Sequence, residues 1–180
     1  GNRKRLNREL DEMKRLGVTN LRILVGSDGE EGIKWKASPV LQPSPGVYND
    51  TILDGLDYLM LQLQCRGMVA VLYLNNSWEW SGGYGFYLEN AGGGKAQQPN
   101  EVGYSAYVKY ASQFATNQKA QQLFFNHVNF ILKRTNRYTG KPYTDDPAIM
   151  SWQICNEPRA FDKAALPQFE AWLAKTASIM

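Results

Sequence analysis

A glutamate that directly follows an apolar, β-rich segment is the residue in this sequence with the clearest chemical potential. Residues 148–155 are predicted as a buried strand, and Asn156, Glu157 and Pro158 come next. In a parallel sheet, side chains that follow a strand lie at the mouth of the sheet, where active sites form. Cleavage of a glycosidic bond needs a carboxylic acid that protonates the departing oxygen, and Glu157 is the candidate for that role. On these residues alone, a Glu in a solvated turn is the alternative.

An arginine and several aromatic residues occupy similar places along the chain. Arg22 interrupts the apolar segment 18–25, which is predicted as a strand buried on both faces. A buried guanidinium requires an anionic partner, unless the side chain reaches the edge of the sheet. Trp78, Trp80 and Tyr84 lie in a Gly-rich segment after another predicted strand, where exposed rings could stack on sugars. The alternative for Trp78 is that it caps the core.

The elements that must position these residues are strands alternating with helices. The pattern predicts helices over 2–16, 104–116 and 118–134, strands over 18–25, 68–74 and 148–155, a helix capped by Asn49 or Asp50 that stops at Gly67, and a last helix with Pro167 in its first turn. This alternation implies right-handed βαβ units and a parallel sheet, either open and doubly wound or part of a barrel. The segments after the strands are long and aromatic, so function is expected at the carboxyl ends of the strands.

The composition excludes several classes of protein. With 43% hydrophobic and 21% charged residues, the chain of 180 residues has ordinary globular composition. Its 20 basic and 17 acidic residues are scattered, apart from Arg3, Lys4 and Arg5, so no nucleic-acid partner is expected. No apolar run approaches the roughly 18 residues of a membrane span, so no membrane partner is expected.

No metal or cofactor is expected either. Cys65 and Cys155 lack the spacing of metal or redox sites and are predicted as small core residues. His127 lies within a predicted helix with no second ligand at a suitable spacing. Lys95 follows three glycines, but no Ser or Thr comes after it, so the segment does not fit a phosphate-binding loop. Asp145 and Asp146 precede a strand and are interpreted as a solvated turn on the non-catalytic side.

Three segments together resemble one enzyme family. Residues 146–159 closely resemble the fourth strand of glycoside hydrolase family 5, especially of its β-mannanase subfamily, and residues 17–23 resemble the second strand. Asn75, Asn76, Ser77 and Trp78, followed by 82–84, resemble the third-strand loop, in which an Asn-Asn-Trp element lines the sugar cleft. The extra Ser77 departs from the common form of that element and leaves the register of Trp78 open.

The resemblance implies a retaining endo-β-1,4-mannanase that hydrolyses mannan, glucomannan or galactomannan without a cofactor. It implies that Glu157 is the acid/base, that Asn156 binds the 2-hydroxyl of the sugar, and that Arg22 orients the nucleophilic carboxylate. The residues expected to bind substrate are Asn76, Trp78, Trp80, Tyr84 and Arg159. The alternatives are another family 5 activity, an exo-β-mannosidase or a β-1,4-glucanase, and a non-catalytic glycan-binding fragment.

The expected fold class is α/β, a (β/α)₈ TIM barrel present in part. Residues 1–180 are expected to supply about strands 2 to 4 with flanking helices, without the first strand and the C-terminal half. Retaining hydrolysis needs a second carboxylate about 5–5.5 Å from the first. The family takes it from a strand near the C-terminus, so the nucleophile is expected outside this chain and the fragment alone is expected to be inactive. The full-length enzyme is expected to be a monomer and to be secreted, or periplasmic or at the cell surface if it is bacterial, although no signal peptide is expected within this chain.

Overall fold

Three parallel strands and the helices between them make up the architecture. The computed structural model describes residues 2–180. Its elements are α1 (Arg3–Arg15), β1 (Asn20–Leu24), α2 (Asp50–Cys65), β2 (Val69–Tyr73), α3 (Gly83–Asn90), α4 (Pro99–Val102), α5 (Tyr104–Ala111), α6 (Gln118–Leu132), β3 (Ile149–Gln153) and α7 (Leu166–Ile179). The strands form one sheet in the order β1-β2-β3, as the strand–helix alternation predicts.

The register of the sheet aligns the carboxyl ends of its strands. Arg22 pairs with Val71, and Val71 pairs with Ser151 across the next ladder. An irregularity between Ala70 and Val71 shifts the second ladder by one residue. The loops that follow the three strands therefore start at the same edge, the side where the sequence predicts function.

Asparagine side chains cap three of the helices. Asn49 accepts a hydrogen bond from the main-chain N–H of Thr51 (3.0 Å), so Asn49 and not Asp50 is the cap of α2. Asn2 and Asn117 do the same for α1 and α6. Each cap satisfies a main-chain donor that the first turn of a helix leaves without a partner. The helix predicted over 104–116 is shorter, because α5 ends at Ala111 and a 3₁₀ turn continues to Ala115.

An aromatic cluster fills the core between α3, α6 and α7. Tyr84 and Phe114 stack in parallel with their ring centroids 4.3 Å apart, and Trp172 meets Phe114 edge to face at 5.1 Å. Phe124 completes the cluster from α6, 5.3 Å from Trp172. Because these rings are almost completely buried, the segment after β2 rests on a rigid base.

The strands bury one face and not two, which corrects the prediction for 18–25. Leu21 and Ile23 of β1 pack against the helices, whereas Asn20 and Arg22 on the other face are exposed. In β3, Met150 is 54% exposed. The physical reason is that side chains alternate across a strand and no described element covers the second face. This open face carries Arg22.

Two other predictions about burial are wrong. Cys65 is exposed at the end of α2, whereas Cys155 is buried as expected. Asp146 is buried and not solvated, and its Oδ1 accepts a hydrogen bond from the main-chain N–H of Ala148 (2.9 Å), just before β3. His127 is a buried helical residue whose Nε2 lies 3.1 Å from the Leu74 carbonyl oxygen, and burial lowers its pKa to about 4.

No helix in residues 2–180 combines the length and apolar character needed to cross a membrane.

A buried ion pair joins α2 to the segment that leads into β3. Asp57 is completely buried, and Arg134 contacts it with Nε at 2.8 Å and Nη2 at 2.6 Å. Tyr143 donates a third hydrogen bond to the same carboxylate at 2.6 Å. These donors compensate for removing a carboxylate from water.

Replacement of Asp57 by Ala should therefore destabilise the protein severely, since it leaves the Arg134 guanidinium buried without its partner. We expect a loss of about 3–5 kcal/mol in the free energy of unfolding, measured by urea denaturation. Asp50→Ala is the matched control in the same helix, because its partner Arg137 is exposed, and it should cost less than about 1 kcal/mol. Equal losses for the two variants would contradict this role for Asp57.

Candidate active site

The loop after β2 and the turn after β3 are joined by main-chain hydrogen bonds. Asn156 donates its N–H to the carbonyl oxygen of Asn75 (2.8 Å), and Ser77 donates its N–H to the carbonyl oxygen of Asn156 (3.2 Å). The parallel pairing of β2 and β3 thus continues for a few residues beyond the strands. As a result, the turn that carries Glu157 lies beside the loop that carries Trp78.

Glu157 occupies an unusual backbone conformation at this edge. Its φ angle is +46°, in the left-handed region that residues other than glycine rarely adopt. Such conformations cost on the order of 1–3 kcal/mol and persist where the surroundings hold them, often at active sites. The side chain is 54% exposed, so a ligand can reach the carboxyl group.

Two side chains contact the Glu157 carboxyl group. The indole Nε1–H of Trp78 donates to Oε2 at 2.7 Å, and Nη2 of Arg159 lies 3.7 Å from the same oxygen. The Arg159 guanidinium also lies 5.2 Å from the centre of the Trp78 ring. Trp78, Glu157 and Arg159 therefore form one connected group, in which the indole fixes the direction of the carboxyl group.

The Trp78 ring is held from two sides. Tyr107 stacks on it with centroids 5.9 Å apart, and Phe161 meets it edge to face at 5.3 Å. Trp78 itself stays partly exposed. The ring is thus fixed in place and partly accessible, and the sugar contact predicted for Trp78 stays a prediction.

Asn76 does not fit the predicted substrate-binding role. It is completely buried, its Oδ1 accepts hydrogen bonds from the Trp78 main chain (3.3 Å) and from Asn156 Nδ2 (3.2 Å), and its Nδ2 donates to Ser81 (3.1 Å). Since protein groups contact both ends of its amide, Asn76 orients Asn156 and does not meet a ligand. Asn156 is partly exposed next to Glu157, and the sugar contact predicted for it stays a prediction.

The substrate contact predicted for Tyr84 is also wrong. It is 1% exposed and belongs to the aromatic core cluster, and its hydroxyl lies 3.2 Å from Ser77 Oγ. A side chain without exposed surface cannot stack on a sugar. Trp80 is partly buried in the 3₁₀ turn Glu79–Ser81, and its carbonyl oxygen accepts a hydrogen bond from Ala37 N–H (2.6 Å). The substrate contact predicted for Trp80 stays a prediction.

Arg22 lies on the open face of the sheet and borders the same shallow depression as Glu157. Its guanidinium carbon is 4.1 Å from the centre of the Tyr73 ring, and its Nε donates to Gln153 Oε1 at 2.8 Å. Gln153, Glu157 and Leu173 line the depression with it. Both of these partners of Arg22 are neutral, so the guanidinium keeps donors for an anionic group.

Other chemistries are less compatible with this site. Burial raises the pKa of Cys155 to about 11, so its thiol stays protonated at neutral pH and is a poor nucleophile. Within residues 2–180, no three His, Cys, Asp or Glu side chains form a group that could hold a metal ion. The available chemistry is that of a carboxyl group with an indole and a guanidinium beside it.

Two residues of the site were not predicted. Ser77 and Tyr107 are buried behind Glu157 and Trp78, and the Tyr107 hydroxyl donates to the Ser77 carbonyl oxygen at 2.9 Å. For Ser77 the sequence holds a signal, since it is the additional residue within the Asn-Asn-Trp element. Nothing in the spacing of Tyr107 distinguishes it from a core residue of α5.

The comparison with protein families agrees with this geometry. The family model for "GH family 5 beta-mannosidase-like" proteins matches residues 1–180. The chain belongs to glycoside hydrolase family 5.

Two plant proteins are among the relatives that the chain resembles in sequence. The chain is 35% identical to mannan endo-1,4-beta-mannosidase 1 of Arabidopsis thaliana over 138 residues, which are 77% of this chain and 30% of that protein. It is 32% identical to putative mannan endo-1,4-beta-mannosidase 5 of Oryza sativa subsp. japonica over 162 residues, 90% of this chain and 29% of that protein. The chain thus spans about a third of the length of these relatives.

Solved structures of family 5 enzymes confirm the fold class. The family 5 mannosidase from Rhizomucor miehei superimposes with a TM-score of 0.85 at 34% identity, covering 99% of this chain and 45% of that one. The endo-1,4-beta-mannanase of the same organism gives 0.74 at 25% identity, covering 99% and 49%. These enzymes are TIM barrels, so the three-stranded sheet is part of a (β/α)₈ barrel.

Trp78→Phe should separate the two functions of the indole, because phenylalanine keeps an aromatic face but cannot donate to Glu157. A hydrogen bond typically contributes about 0.5–1.5 kcal/mol, so kcat/KM on a glycan substrate of the complete barrel should fall roughly 2- to 10-fold. Trp78→Ala should weaken oligosaccharide binding in addition, and by more than it lowers the melting temperature.

Trp35→Phe is the matched control, since Trp35 is exposed and its indole N–H donates to another side chain, Gln98 (3.1 Å). It should leave kcat/KM unchanged. Normal kcat/KM in Trp78→Phe would show that the hydrogen bond to Glu157 is unimportant. A large loss of stability with normal affinity in Trp78→Ala would show that Trp78 caps the core.

Proposed function

We propose that this chain is the part of a retaining endo-β-1,4-mannanase that carries the catalytic acid/base, Glu157. The observation that carries the proposal is the position of the Glu157 carboxyl group. It lies at the carboxyl end of β3 on a left-handed turn, half exposed, with an indole N–H 2.7 Å from Oε2. Membership of family 5 supports a glycosidase, since this carboxyl group is the one that the resemblance assigns to proton transfer.

In the proposed reaction, Glu157 acts twice. As an acid it donates its proton to the glycosidic oxygen as the bond to the sugar breaks, and a second carboxylate forms the glycosyl-enzyme intermediate. As a base it then takes a proton from the water that releases the sugar. Asn156, held by Asn76, is proposed to bind the 2-hydroxyl, a contact that strengthens in the transition state.

The nucleophilic carboxylate is proposed to come from another part of the barrel. Arg22 lies on the open face of the sheet and borders the depression next to Glu157. Its contacts there are with the neutral groups Gln153 and Tyr73. Its free donors are suited to orienting a carboxylate in a planar, two-point contact. Without that second carboxylate, residues 1–180 alone should not hydrolyse glycans.

The proposed substrates are mannan, glucomannan and galactomannan. Two plant relatives are named mannan endo-1,4-beta-mannosidases, and a Rhizomucor miehei family 5 mannosidase has been solved with mannosyl-fructose. Trp78 and Arg159 form a partly exposed aromatic and cationic surface beside Glu157. Aromatic faces suit sugar rings, and guanidinium donors suit their hydroxyl groups.

Glu157→Gln in the complete barrel should abolish hydrolysis of mannan, because an amide cannot donate the proton that the departing oxygen requires. General acid/base catalysis contributes about 10²- to 10⁴-fold, and mannan has a poor leaving group, so the rate should fall at least by that factor. An aryl mannoside with an acidic leaving group should be affected less in its first step. Added azide should restore turnover on it, since azide attacks the intermediate without a base.

Glu170→Gln is the control for the loss of one carboxylate, because Glu170 is exposed on α7, and it should be fully active. Reducing-end release from mannan and phenol release from the aryl mannoside are the measurements. Full activity of Glu157→Gln on mannan would exclude Glu157 as the acid. Equal losses on both substrates, or no effect of azide, would count against the assignment.

A second candidate, an exo-β-mannosidase, is favoured by one observation. The chain is more similar to the Rhizomucor miehei family 5 mannosidase, at 34% identity and a TM-score of 0.85, than to the endo-mannanase of the same organism, at 25% and 0.74. Both activities use the same acid/base chemistry, so the geometry at Glu157 is compatible with either.

The pattern of products from mannan distinguishes the two candidates. An endo-acting enzyme should lower the viscosity of galactomannan at low conversion and release oligosaccharides of mixed length. Release of mannose alone, with viscosity almost unchanged, would replace the endo proposal by the exo one. Cleavage of cellulose in preference to mannan would instead indicate a β-1,4-glucanase.

A further inference from the structure

Ser77 contacts the turn that carries Glu157 at three points. Its N–H donates to the carbonyl oxygen of Asn156 (3.2 Å), its Oγ donates to the carbonyl oxygen of Glu157 (2.5 Å), and the same Oγ accepts from the N–H of Arg159 (3.2 Å). One small residue on the loop after β2 thus holds the backbone before, at and after Glu157. A hydroxyl group is needed for this, because it must donate and accept at once.

Ser77 is itself fixed by the core. It is completely buried, its carbonyl oxygen accepts a hydrogen bond from Tyr107, and its Oγ lies 3.2 Å from the Tyr84 hydroxyl. Both tyrosines are 1% exposed, and Tyr84 belongs to the aromatic core cluster. The position of Ser77 is therefore set by the interior of the protein and not by the exposed loop.

The turn needs such support because it is strained. Glu157 has a φ of +46°, and a non-glycine residue keeps that conformation only where its neighbours enforce it. The side-chain contacts of Glu157, with Trp78 and Arg159, are made by partly exposed or exposed groups. They direct the carboxyl group, but they do not fix the backbone from which it extends.

We propose that Ser77 is a positioning residue for proton transfer, which holds the left-handed turn so that the Glu157 carboxyl group stays at the distance that the reaction requires. This proposal rests on the proposed function of Glu157. Misplacement of a reacting group by about 1 Å can cost on the order of 10²-fold in rate. Ser77, the additional residue in the Asn-Asn-Trp element, supplies the hydroxyl group that makes these contacts.

The test is Ser77→Ala in the complete enzyme, assayed on mannan and on an aryl mannoside with an acidic leaving group. We expect kcat on mannan to fall roughly 10- to 100-fold with KM nearly unchanged. The first step on the aryl mannoside should lose much less, because it needs little protonation. A change that merely lowered the folded fraction would reduce both rates by the same factor.

Thr176→Val is the matched control, because Thr176 is also buried and its hydroxyl donates to a main-chain carbonyl oxygen, that of Trp172 (2.7 Å). It should lose stability without any preference between the substrates. Ser77→Thr, which keeps the hydroxyl, should be more active on mannan than Ser77→Ala. Equal losses on both substrates in Ser77→Ala, or normal kcat, would overturn the proposal.

Hydrogen exchange provides a readout that does not depend on activity. The main-chain N–H of Arg159 is bound to Ser77 Oγ, so its exchange should become faster in Ser77→Ala while amides of α6 are unaffected. Unchanged exchange at Arg159 would show that Ser77 does not hold the turn. A wild-type enzyme that cleaves neither substrate would instead refute the proposed function, and the exchange result would still decide whether Ser77 holds the turn.

Discussion

The parallel pairing of β2 with β3 is the constraint on which the site depends. It brings two loops that are about 80 positions apart in sequence to one edge of the sheet, where Asn76 bridges to Asn156. The hydrogen bonds between these loops start as main-chain pairing and continue through side chains. Every contact described at Glu157 from the loop after β2 follows from this pairing, because the register sets which residue faces which.

Much of the fold could be predicted from the sequence, because local patterns determine it. The three strands, the helix after Asn49 and the helix over 118–134 follow from apolar periodicity and caps, and the strand–helix alternation implies the parallel sheet. Apolar periodicity did not predict that the second face of the sheet is exposed in the described residues. Most residues of 18–25 are apolar, which favours burial on both faces, but Asn20 and Arg22 share one face, and both are exposed in the structure.

The candidate site was predictable in its chemistry but less so in its geometry. Arg22, in the middle of β1, and Glu157, after β3, border the same depression, because the register of the parallel strands fixes where these residues lie. Residues within the Gly-rich loop were assigned less well. Asn76 and Tyr84 are buried and serve the protein and not a ligand, since the path of a loop decides which of its aromatic and polar side chains face solvent. Spacing along the sequence does not encode that path.

Buried residues hold the backbone at Glu157, and partly exposed or exposed residues contact its carboxyl group. Ser77, seated on buried tyrosines, holds the backbone at Glu157, while Trp78 and Arg159 direct its carboxyl group from the side that substrate would approach. A general acid needs both kinds of support, because proton transfer depends on the distance to the oxygen as well as on the direction of the carboxyl group. At this left-handed turn the Glu157 side chain borders the depression, while its main-chain carbonyl oxygen accepts a hydrogen bond from the buried Ser77.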